Sequence, residues 1–271
     1  MTVLHIVVLA MVQGITEFLP VSSSGHLVLV PLVTDWPDQG LLLDVAVHVG
    51  TLGAVLLYLH RDVWAMVAGL GRAMRGRSDP GARLFGQLVI ATLPVIAAGY
   101  LLDRHLDVDL RGMAVVGWAT LGFGLVLWLA DTVGMTVRRV EHVHMGDAVI
   151  IGVAQVLALI PGTSRSGITM TAARLLGMER TDAARFSMLL SIPTILGAGA
   201  LKGWDLYQAG DLALASDAFI AAGLAFVTAL VAIAVMMAWL RRASFAPFVI
   251  YRVVLGLLVL GLAYGILPLG G

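Results

Sequence analysis

The sequence predicts an all-α polytopic membrane protein built as an inverted-topology repeat, in which each half holds a re-entrant helical hairpin and three transmembrane helices. Three observations predict this fold: an apolar composition, six apolar segments of transmembrane length, and two further apolar stretches that proline interrupts. Apolar residues make up 59% and charged residues 13% of the 271 residues, whereas soluble domains have about 45–50% and about 25%. The chain is therefore too apolar for an ordinary soluble domain.

Charge and cysteine content exclude several other classes of protein. Seventeen basic residues balance seventeen acidic ones, so no positive excess suggests nucleic acid as a partner. Cysteine is absent, which excludes disulfides, thiolate metal sites and cysteine nucleophiles. The first residues lack the basic region and the cleavage site of a secretory signal. We therefore expect Met1 to begin a single integral membrane domain that covers residues 1–271.

Six segments are long and apolar enough to span a bilayer, which requires about 20 residues in a helix. They cover residues 41–60, 84–102, 112–130, 184–202, 217–240 and 247–267.

Two other apolar stretches, residues 3–33 and 147–178, are broken near the middle by "PVSSSG" at 20–25 and "PGTSRSG" at 161–167. Proline removes a backbone donor and clashes with the preceding helical turn, so each stretch predicts two short helices that meet at a polar turn. Non-helical backbone at membrane depth is tolerated only where protein or a wet cavity surrounds it. We therefore expect two re-entrant hairpins.

Loop charges predict the orientation, because cytoplasmic loops are enriched in Lys and Arg. The loops after the first, third and fifth spans carry Arg61, Arg72, Arg75, Arg77, Arg83, Arg138, Arg139, Arg241 and Arg242. The alternate loops carry Asp103, Asp107, Asp109, Asp205, Asp211 and Asp217. This distribution predicts that the arginine loops are cytoplasmic and that both termini lie outside. The first hairpin then enters from outside and the second from inside.

The two halves of the chain also match each other. "QGITEFLPVSSSG" and "QVLALIPGTSRSG" share Gln, Pro and Ser-x-Ser-Gly at an offset near 142, and three spans follow each motif in parallel order. Breaks of this kind also recur by chance in membrane helices, but the parallel order of the spans favours a repeat. We assign repeat one to residues 1–130 and repeat two to residues 131–271, with a ligand site at their interface near the midplane.

The ionisable side chains inside the apolar segments include Glu17, His26, Asp44, His48 and Arg165. Each costs about 2.5–3.5 kcal/mol near the bilayer centre, which makes such a residue a functional-site hypothesis by default. Gln13 lies four residues before Glu17, so both side chains share one helix face. The alternative is that Glu17 only neutralises Arg165, which would leave the neighbouring serines unexplained.

Four further polar residues have two interpretations each. Asp44 and His48 are four residues apart on the first span, where they either bond to each other as structural residues or lie behind the site. Arg174 and Arg185 flank the second hairpin, and we expect them to be cytoplasmic-interface or snorkelling residues rather than ligands.

A short helix is expected to begin after each break, at about Ser23 to Gly25 in the first hairpin and Ser164 to Gly167 in the second. Helix N-termini present unpaired N–H groups and the positive end of the helix dipole, and they bind anions readily. The Arg165 guanidinium adds a planar set of donors, so the two ends predict a cradle for a phosphate-rich head group. The alternative role of the serines is N-capping, which needs one residue per helix. The predicted binding residues are Gln13, Ser22, Ser24, Gly25, Thr163, Ser164, Ser166 and Gly167.

Ser23, His26 and Glu17 form a candidate catalytic group together with Arg165. A serine hydroxyl becomes a useful nucleophile only with a base within hydrogen-bond reach, and His26 lies three residues after Ser23. We expect Ser23 to attack with either His26 or Glu17 as base. A second possibility, in which His26 itself is the nucleophile, remains open at this point.

These residues resemble a known family. "QGITEFLPVSSSGH" and "LIPGTSRSG" are similar to the two signature stretches of undecaprenyl-diphosphatases of the bacitracin-resistance type. "LLDVAVHVGTLGAVLLY" within 41–58 and "AARFSMLLSIPTILGA" at 183–198 resemble the segments that follow them, so the similarity runs nearly end to end. The resemblance implies a multi-pass hydrolase of the bacterial inner membrane that converts undecaprenyl diphosphate to the monophosphate and inorganic phosphate. It also implies recycling of the lipid carrier for peptidoglycan synthesis, bacitracin resistance, and an active site that faces the periplasm.

The family's site residues map onto this sequence position by position. Its E/Q-x-x-x-E motif matches Gln13 and Glu17, its serine and histidine match Ser23 and His26, and its arginine matches Arg165. The resemblance implies a divalent cation, Mg²⁺ or Ca²⁺, held by Glu17 together with Gln13. Glutamine at the first acidic position leaves one carboxylate for such hard-oxygen coordination.

The expected partners are a polyprenyl diphosphate lipid and membrane lipids, with no nucleic acid, and a homo-oligomer is one option. We expect the prenyl tail in an apolar groove between the repeats that opens laterally to lipid. The rival function is a transporter or flippase of the phosphorylated lipid carrier, because inverted repeats with broken helices are typical of transporters.

Overall fold

The fold is helical, as the sequence predicts. In the computed structural model of the chain, the described residues are 2–34, 36, 40–105, 112–134, 136–209 and 215–267. Within these ranges the regular structure consists of helices, apart from one isolated bridge between Arg138 and Met178. The acidic loops on which the predicted orientation partly depends, with Asp107, Asp109 and Asp211, lie outside the described residues.

Six helices of the described chain are long and apolar enough to cross a membrane, which confirms the six predicted spans. They are α3 (Gly40–Tyr58), α5 (Pro80–His105), α6 (Met113–Val133), α9 (Arg180–Ala209), α10 (Ala215–Leu240) and α11 (Ala246–Ala263). The ends differ from the predicted ones by up to seven residues, because α9 extends past its apolar core at both ends while α11 stops before the final apolar residues.

The two interrupted stretches form pairs of short helices. In the first pair α1 (Val3–Thr16) and α2 (Ser23–Thr34) are separated by the first break, residues 17–22. In the second pair α7 (Met145–Gln155), extended by a 3₁₀ turn (Val156–Leu159), is separated from α8 (Arg165–Leu175) by the second break, residues 160–164. Each break contains the proline that predicted it.

One helix was not predicted. The helix α4 (His60–Ala73) occupies the arginine-rich connection between the first two spans, which the charge count indicated as a loop. Its apolar residues recur at helical spacing, and Val63, Met66 and Leu70 face an apolar cavity that α5 and α9 complete. The helix is therefore amphipathic, and its charged residues concealed this pattern.

Small residues allow the spans to pack closely. A Cβ atom added to Gly50 of α3 would lie 2.1 Å from the carbonyl oxygen of Ala222 on α10. A Cβ atom added to Gly152 of α7 would lie 2.5 Å from the carbonyl oxygen of Ala91 on α5. Close backbone approach through glycine is the usual way in which transmembrane helices gain packing contacts.

Ion pairs hold the helix ends together on the arginine side, which we define as the side of the loops with Arg138, Arg139, Arg241 and Arg242. Arg174 does not snorkel, so that prediction is wrong. Its side chain is fully buried, and Nε donates to Oδ1 of Asp131 on α6 at 3.2 Å. A guanidinium buried among apolar side chains needs hydrogen-bonding partners. Asp131, which is distant in sequence, is such a partner for Arg174.

Arg185 is also ion-paired on the arginine side. Its Nη2 donates to Asp62 of α4, and its Nη1 donates to Glu141 at 3.0 Å. Asp131 additionally accepts a hydrogen bond from Arg180 Nε at 2.7 Å and one from the backbone N–H of Phe245 at 3.1 Å. These pairs join α4, α6, α8, α9 and the start of α11 at one end of the bundle.

Replacement of Gly50 by alanine should lower the thermal unfolding midpoint, because the added methyl group would overlap the Ala222 carbonyl. Overpacking of this kind costs about 1–3 kcal/mol. The matched control is Gly223→Ala on α10, where an added Cβ meets no described atom within 4 Å. Alanine there should hold or raise the midpoint, because it favours a helix over glycine by about 0.5–1 kcal/mol. Equal midpoints for Gly50→Ala and wild type would contradict the α3–α10 packing.

Candidate active site

The two breaks have the same local geometry. Ser22 and Ser164 have φ angles of 76° and 72°, in the left-handed region that non-glycine residues rarely adopt. The hydroxyl of Ser22 accepts a hydrogen bond from the N–H of Gly25 at 3.2 Å, and that of Ser164 accepts one from the N–H of Gly167 at 3.1 Å. Each of these serines therefore caps the helix that follows its break.

The two breaks also contact each other. The hydroxyl of Ser166 donates to the carbonyl oxygen of Leu19 at 2.8 Å, which joins the start of α8 to the first break. A Cβ atom added to Gly25 would lie 3.5 Å from the Cα atom of Gly162. The starts of α2 and α8, with Ser23 and Arg165 as their first residues, are therefore brought to one place.

Glu17 is the centre of this arrangement. Its Oε1 atom accepts a hydrogen bond from Arg165 Nη2 at 2.9 Å. Its Oε2 atom accepts one from Gln13 Nε2 at 2.8 Å and one from the Ser23 hydroxyl at 2.9 Å. The carboxylate is buried and does neutralise Arg165. The bond with Ser23 shows that pairing with Arg165 is not its whole environment.

The Arg165 side chain is fixed on several sides. Its Nη1 atom donates to the carbonyl oxygen of Ser187 on α9 at 3.1 Å, and the guanidinium lies 5.9 Å from the centre of the Phe18 ring. A guanidinium at this distance from an aromatic ring gains a cation–π contribution. The guanidinium plane is thus held at the start of α8 with one edge on Glu17.

His26 has partners other than Ser23. Its Nδ1 atom lies 2.6 Å from the carbonyl oxygen of Ser22, and its Nε2 atom lies 2.5 Å from the hydroxyl of Tyr251 on α11. The two rings are stacked, with centroids 5.7 Å apart. A carbonyl oxygen can only accept, so Nδ1 carries the proton, and in the neutral imidazole Nε2 accepts from Tyr251. Of the two bases considered for Ser23, the structure places Glu17 and not His26 against the hydroxyl.

A cavity of about 270 Å³ opens in front of these residues. Its polar lining consists of Glu17, Ser23, Ser24, Asp44, His48, Arg165 and Thr194. The remaining lining comes from the start of α3, the end of the 3₁₀ turn and the second halves of α5 and α9. Since α3 ends and both α5 and α9 begin at the arginine side, the cavity lies towards the opposite side of the bundle.

Asp44 and His48 belong to this cavity. The Nδ1 atom of His48 donates to the backbone carbonyl of Asp44 at 2.7 Å, and its Nε2 atom lies 3.8 Å from Oε2 of Glu17. Of the two interpretations considered for this pair, the geometry favours a place beside the site.

The other predicted binding residues divide into two groups. Ser24 lines the cavity. The rest lie within the breaks and the first turns behind it: Ser22, Gly25, Thr163, Ser164, Ser166 and Gly167. Capping therefore accounts for Ser22 and Ser164. Two buried polar atoms, Thr163 Oγ1 and Gln13 Oε1, have no hydrogen-bond partner among the described residues.

Comparison with known proteins identifies the family. The family model described as bacitracin resistance protein BacA matches residues 6–258. The chain belongs to the BacA family. Undecaprenyl-diphosphatase 1 of Rhodospirillum rubrum is 56% identical over 271 residues, which covers 97% of this chain and 96% of the relative. The undecaprenyl-diphosphatases of Ruegeria pomeroyi and Roseobacter denitrificans are 54% and 53% identical over 266 residues, covering 97% of this chain and 100% of each relative.

In this BacA family member the oxygen atoms near Glu17 suit a divalent cation only in part. The described residues hold no group of three or more His, Asp or Glu side chains that could form a protein-only metal cage. However, the carboxylates of Glu17 and Asp44 line one cavity, and Gln13 Oε1 is buried without a partner. Mg²⁺ is usually held by one or two carboxylates together with substrate phosphates and water. The residues therefore fit a cation that is shared with a phosphate ligand.

Two residues of the BacA site, Tyr251 and Arg252, were not predicted from the sequence. Both lie in α11, about one turn beyond its start, where an arginine is easily taken for a snorkelling residue. Arg252 is fully buried and reaches both breaks. The only sequence signal was an arginine within an apolar span, which by itself marks a functional-site candidate.

The tautomer of His26 can be tested by ¹⁵N NMR of protein labelled at the imidazole nitrogens. We expect His26 to show a protonated Nδ1, and Tyr251→Phe to shift its Nε2 resonance because the donor hydroxyl is removed. The signal is assigned by its loss in His26→Gln. The matched control is Tyr264→Phe, at the C-terminal end of α11, since that hydroxyl bonds to Trp118 at 3.2 Å. A His26 spectrum that Tyr251→Phe leaves unchanged would contradict the hydrogen bond.

Proposed function

We propose that this chain is an integral membrane phosphatase that hydrolyses undecaprenyl diphosphate to undecaprenyl phosphate and inorganic phosphate. In this role it recycles the lipid carrier for peptidoglycan synthesis and confers bacitracin resistance. The observation that carries the proposal is the Ser23 hydroxyl, held 2.9 Å from a buried carboxylate that also binds Arg165. The names of its BacA relatives support the same substrate.

Ser23 is the nucleophile and Glu17 is its base. The Ser23 oxygen attacks the terminal phosphorus while its proton passes to Glu17. The bond between that phosphorus and the bridging oxygen breaks, and undecaprenyl phosphate leaves with the proton that Glu17 returns to it. Water then attacks the phosphoserine with Glu17 again as base, which releases inorganic phosphate and restores the hydroxyl. A positioned general base contributes about 10²–10⁴-fold to such a rate.

The charge of the transferred phosphoryl group is stabilised at the starts of α2 and α8. Their first N–H groups have no partner within the helix, and the Arg165 guanidinium, bonded to Glu17, lies at the start of α8. Phosphoryl transfer depends mainly on positioning and on electrostatic stabilisation. His26, bonded to the Ser22 carbonyl, fixes the residue next to the nucleophile. Both of its nitrogens are occupied, which favours Ser23 over His26 as the attacking group.

A Mg²⁺ or Ca²⁺ ion would be held by Glu17 and Asp44, with Gln13 Oε1 as a neutral ligand. Such an ion would polarise the phosphoryl oxygens and neutralise part of their charge. Gln13 meanwhile orients Glu17 through its amide N–H, a role that a carboxylate at this position could not perform.

The two halves, residues 1–130 and 131–271, form an inverted repeat with re-entrant hairpins. The equal geometry of the two breaks supports this, since Ser22 to Gly25 correspond one by one to Ser164 to Gly167. The packing supports it as well, because α1 packs on α10 as α7 packs on α5, and α3 packs on α10 as α9 packs on α5. Ser23 and Arg165 then occupy the same position in the two repeats.

The protein resides in the bacterial inner membrane with its active site and both termini on the periplasmic side. The positive-inside bias places the arginine side in the cytoplasm, and the cavity lies towards the opposite side of the bundle. Hydrolysis at that side suits a carrier whose diphosphate form is produced after export.

The prenyl tail leaves the site sideways between the repeats. An apolar cavity of about 520 Å³ is lined by Ile15 and Leu19 of repeat one and by residues of α10 and α11 of repeat two, such as Phe248. Leu19 belongs to the first break, two residues after Glu17. The cavity therefore begins beside the first break, close in sequence to the catalytic carboxylate, and follows α10 and α11.

Phosphate release from C55 diphosphate by purified protein in detergent tests the function. We expect turnover by the wild type and a loss of about 10²–10⁴-fold in Ser23→Ala and Glu17→Gln, because nucleophile or base is removed. Ser191→Ala is the matched control, since that buried hydroxyl bonds to its own helix at Met188. A chelator added in a parallel series should abolish turnover if the cation is required.

Three outcomes would contradict this account. A transporter of the phosphorylated carrier, the competing function, should release no phosphate in detergent, where the two sides of the membrane no longer exist. Wild-type turnover in Ser23→Ala, or a phosphohistidine found by mass spectrometry of the trapped intermediate, would remove Ser23 from its role.

A further inference from the structure

Arg252 is a buried cation that contacts only uncharged groups. It is 0% exposed, and its guanidinium donates to four backbone carbonyls. These are the oxygens of Thr120 at 3.0 Å, Gly162 at 3.1 Å, Pro20 at 3.3 Å and Ala119 at 3.4 Å. The set includes one carbonyl from each break and two from the middle of α6.

The other deeply buried arginines have carboxylate partners. Arg174 is paired with Asp131 and Arg165 with Glu17. Among the described residues, no Asp or Glu side chain forms an ion pair with Arg252. A buried charge without a partner is costly, and structures normally avoid it. The unpaired charge of Arg252 indicates that an anion binds near it at some step of the catalytic cycle.

Arg252 lies directly behind the site. A Cβ atom added to Gly167, in the first turn of α8, would lie 2.8 Å from Arg252 Nη1. The same guanidinium binds Pro20 and Gly162, each three residues before the first residue of the helix that follows, Ser23 and Arg165 respectively. Arg252 therefore lies against the backbone of the two breaks that lead into Ser23 and Arg165, the residues that line the cavity.

Arg252 determines the net charge that the site presents to an anionic ligand. Glu17 neutralises Arg165, so that pair presents little net charge to an incoming ligand. Arg252 adds a positive charge behind the backbone of the two breaks. Charges interact more strongly in a protein interior than in water, so this charge acts on an anion in the cavity without touching it.

We propose that Arg252 is a positioning residue for the diphosphate: it holds the two breaks together, and its charge is balanced only when the diphosphate occupies the cavity. The identity of the ligand rests on the proposed phosphatase function. Arginine suits both tasks, because its planar set of five donors serves several carbonyls at once while the same group carries a positive charge.

Two substitutions separate the two tasks. Arg252→Lys keeps the charge and loses most of the donor geometry, whereas Arg252→Gln keeps an amide donor and loses the charge. We expect Arg252→Gln to raise KM for C55 diphosphate at least about tenfold, as the loss of a charged interaction generally does. Arg252→Lys should keep KM within about threefold of wild type while kcat falls, because the breaks are held less firmly. Unfolding midpoints measured alongside show whether both variants are folded.

A second pair of variants perturbs Arg252 without replacing it. A Cβ atom added to Gly124 of α6 would lie 3.0 Å from Arg252 Cβ and 3.3 Å from Nε. Gly256→Ala is the matched control, since its Cβ would press at 2.9 Å on Leu121 in the same α6–α11 interface. We expect Gly124→Ala to raise KM and Gly256→Ala to leave it unchanged, even where both lower the unfolding midpoint. This pair keeps the proposal testable if Arg252→Gln fails to fold.

Binding of inorganic diphosphate, followed as a shift in the unfolding midpoint, separates this proposal from the phosphatase function. Diphosphate should raise the unfolding midpoint of the wild type and of Arg252→Lys. Arg252→Gln should need at least about a tenfold higher diphosphate concentration for the same shift. A wild type that binds diphosphate but releases no phosphate from the lipid would overturn the function and leave the role of Arg252 intact. Equal KM values and equal diphosphate binding in folded Arg252→Lys and Arg252→Gln would overturn the role of Arg252.

Discussion

The Glu17 carboxylate accepts hydrogen bonds from both sides of the first break and from the helix that follows the second. Gln13 precedes the first break and Ser23 follows it, while Arg165 begins the helix after the second break. An isolated carboxylate at this depth would be strongly unfavourable, so its burial requires all three donors to be in place. The fold and the active site therefore depend on the same contact, because the second interrupted segment must reach the first before Glu17 can be buried as an anion.

The two breaks carry a free-energy cost, and the contacts between them offset it. A break in a membrane-embedded helix exposes carbonyl and N–H groups that lipid cannot satisfy. Here the carbonyl of Leu19 accepts from Ser166, those of Pro20 and Gly162 accept from Arg252, and the capping hydroxyls satisfy Gly25 and Gly167. Ser22 and Ser164 hold left-handed backbone that costs about 1–3 kcal/mol each. The polar groups that make the breaks tolerable therefore lie directly behind the residues that line the cavity.

Local patterns in the sequence predicted much of this arrangement. Length and apolarity located the six spans, and proline located both breaks, because each of these features acts within a few residues. The amphipathic helix α4 was missed because its arginines outweighed a clear helical spacing of apolar residues. The predicted ends of the spans differ from the observed ones because backbone hydrogen bonding continues a helix beyond its apolar core, as in α9.

Contacts between distant residues could not be predicted in the same way. The spacing of Ser23 and His26 suggested a pair, yet a carbonyl and the hydroxyl of Tyr251, which is remote in sequence, hold the imidazole. Arg174 was expected near water, but Asp131 pairs with it inside the bundle. Arg252 was overlooked for the same reason, since its role depends on carbonyls from three other segments. Glu17 and Arg165 could be predicted as site residues from the sequence, because charged residues within membrane segments are rare and therefore informative.

A double-mutant cycle on Glu17 and Arg165, measured as the free energy of unfolding in mixed micelles, tests most directly whether one carboxylate joins the two breaks. Glu17→Gln and Arg165→Met should each destabilise the protein, because each leaves the other residue buried without its partner. We expect the double variant to be destabilised by less than the sum of the two single effects, with a coupling of about 0.5–3 kcal/mol. Additivity of the two effects within about 0.3–0.5 kcal/mol, the behaviour of residues that do not touch, would contradict the account.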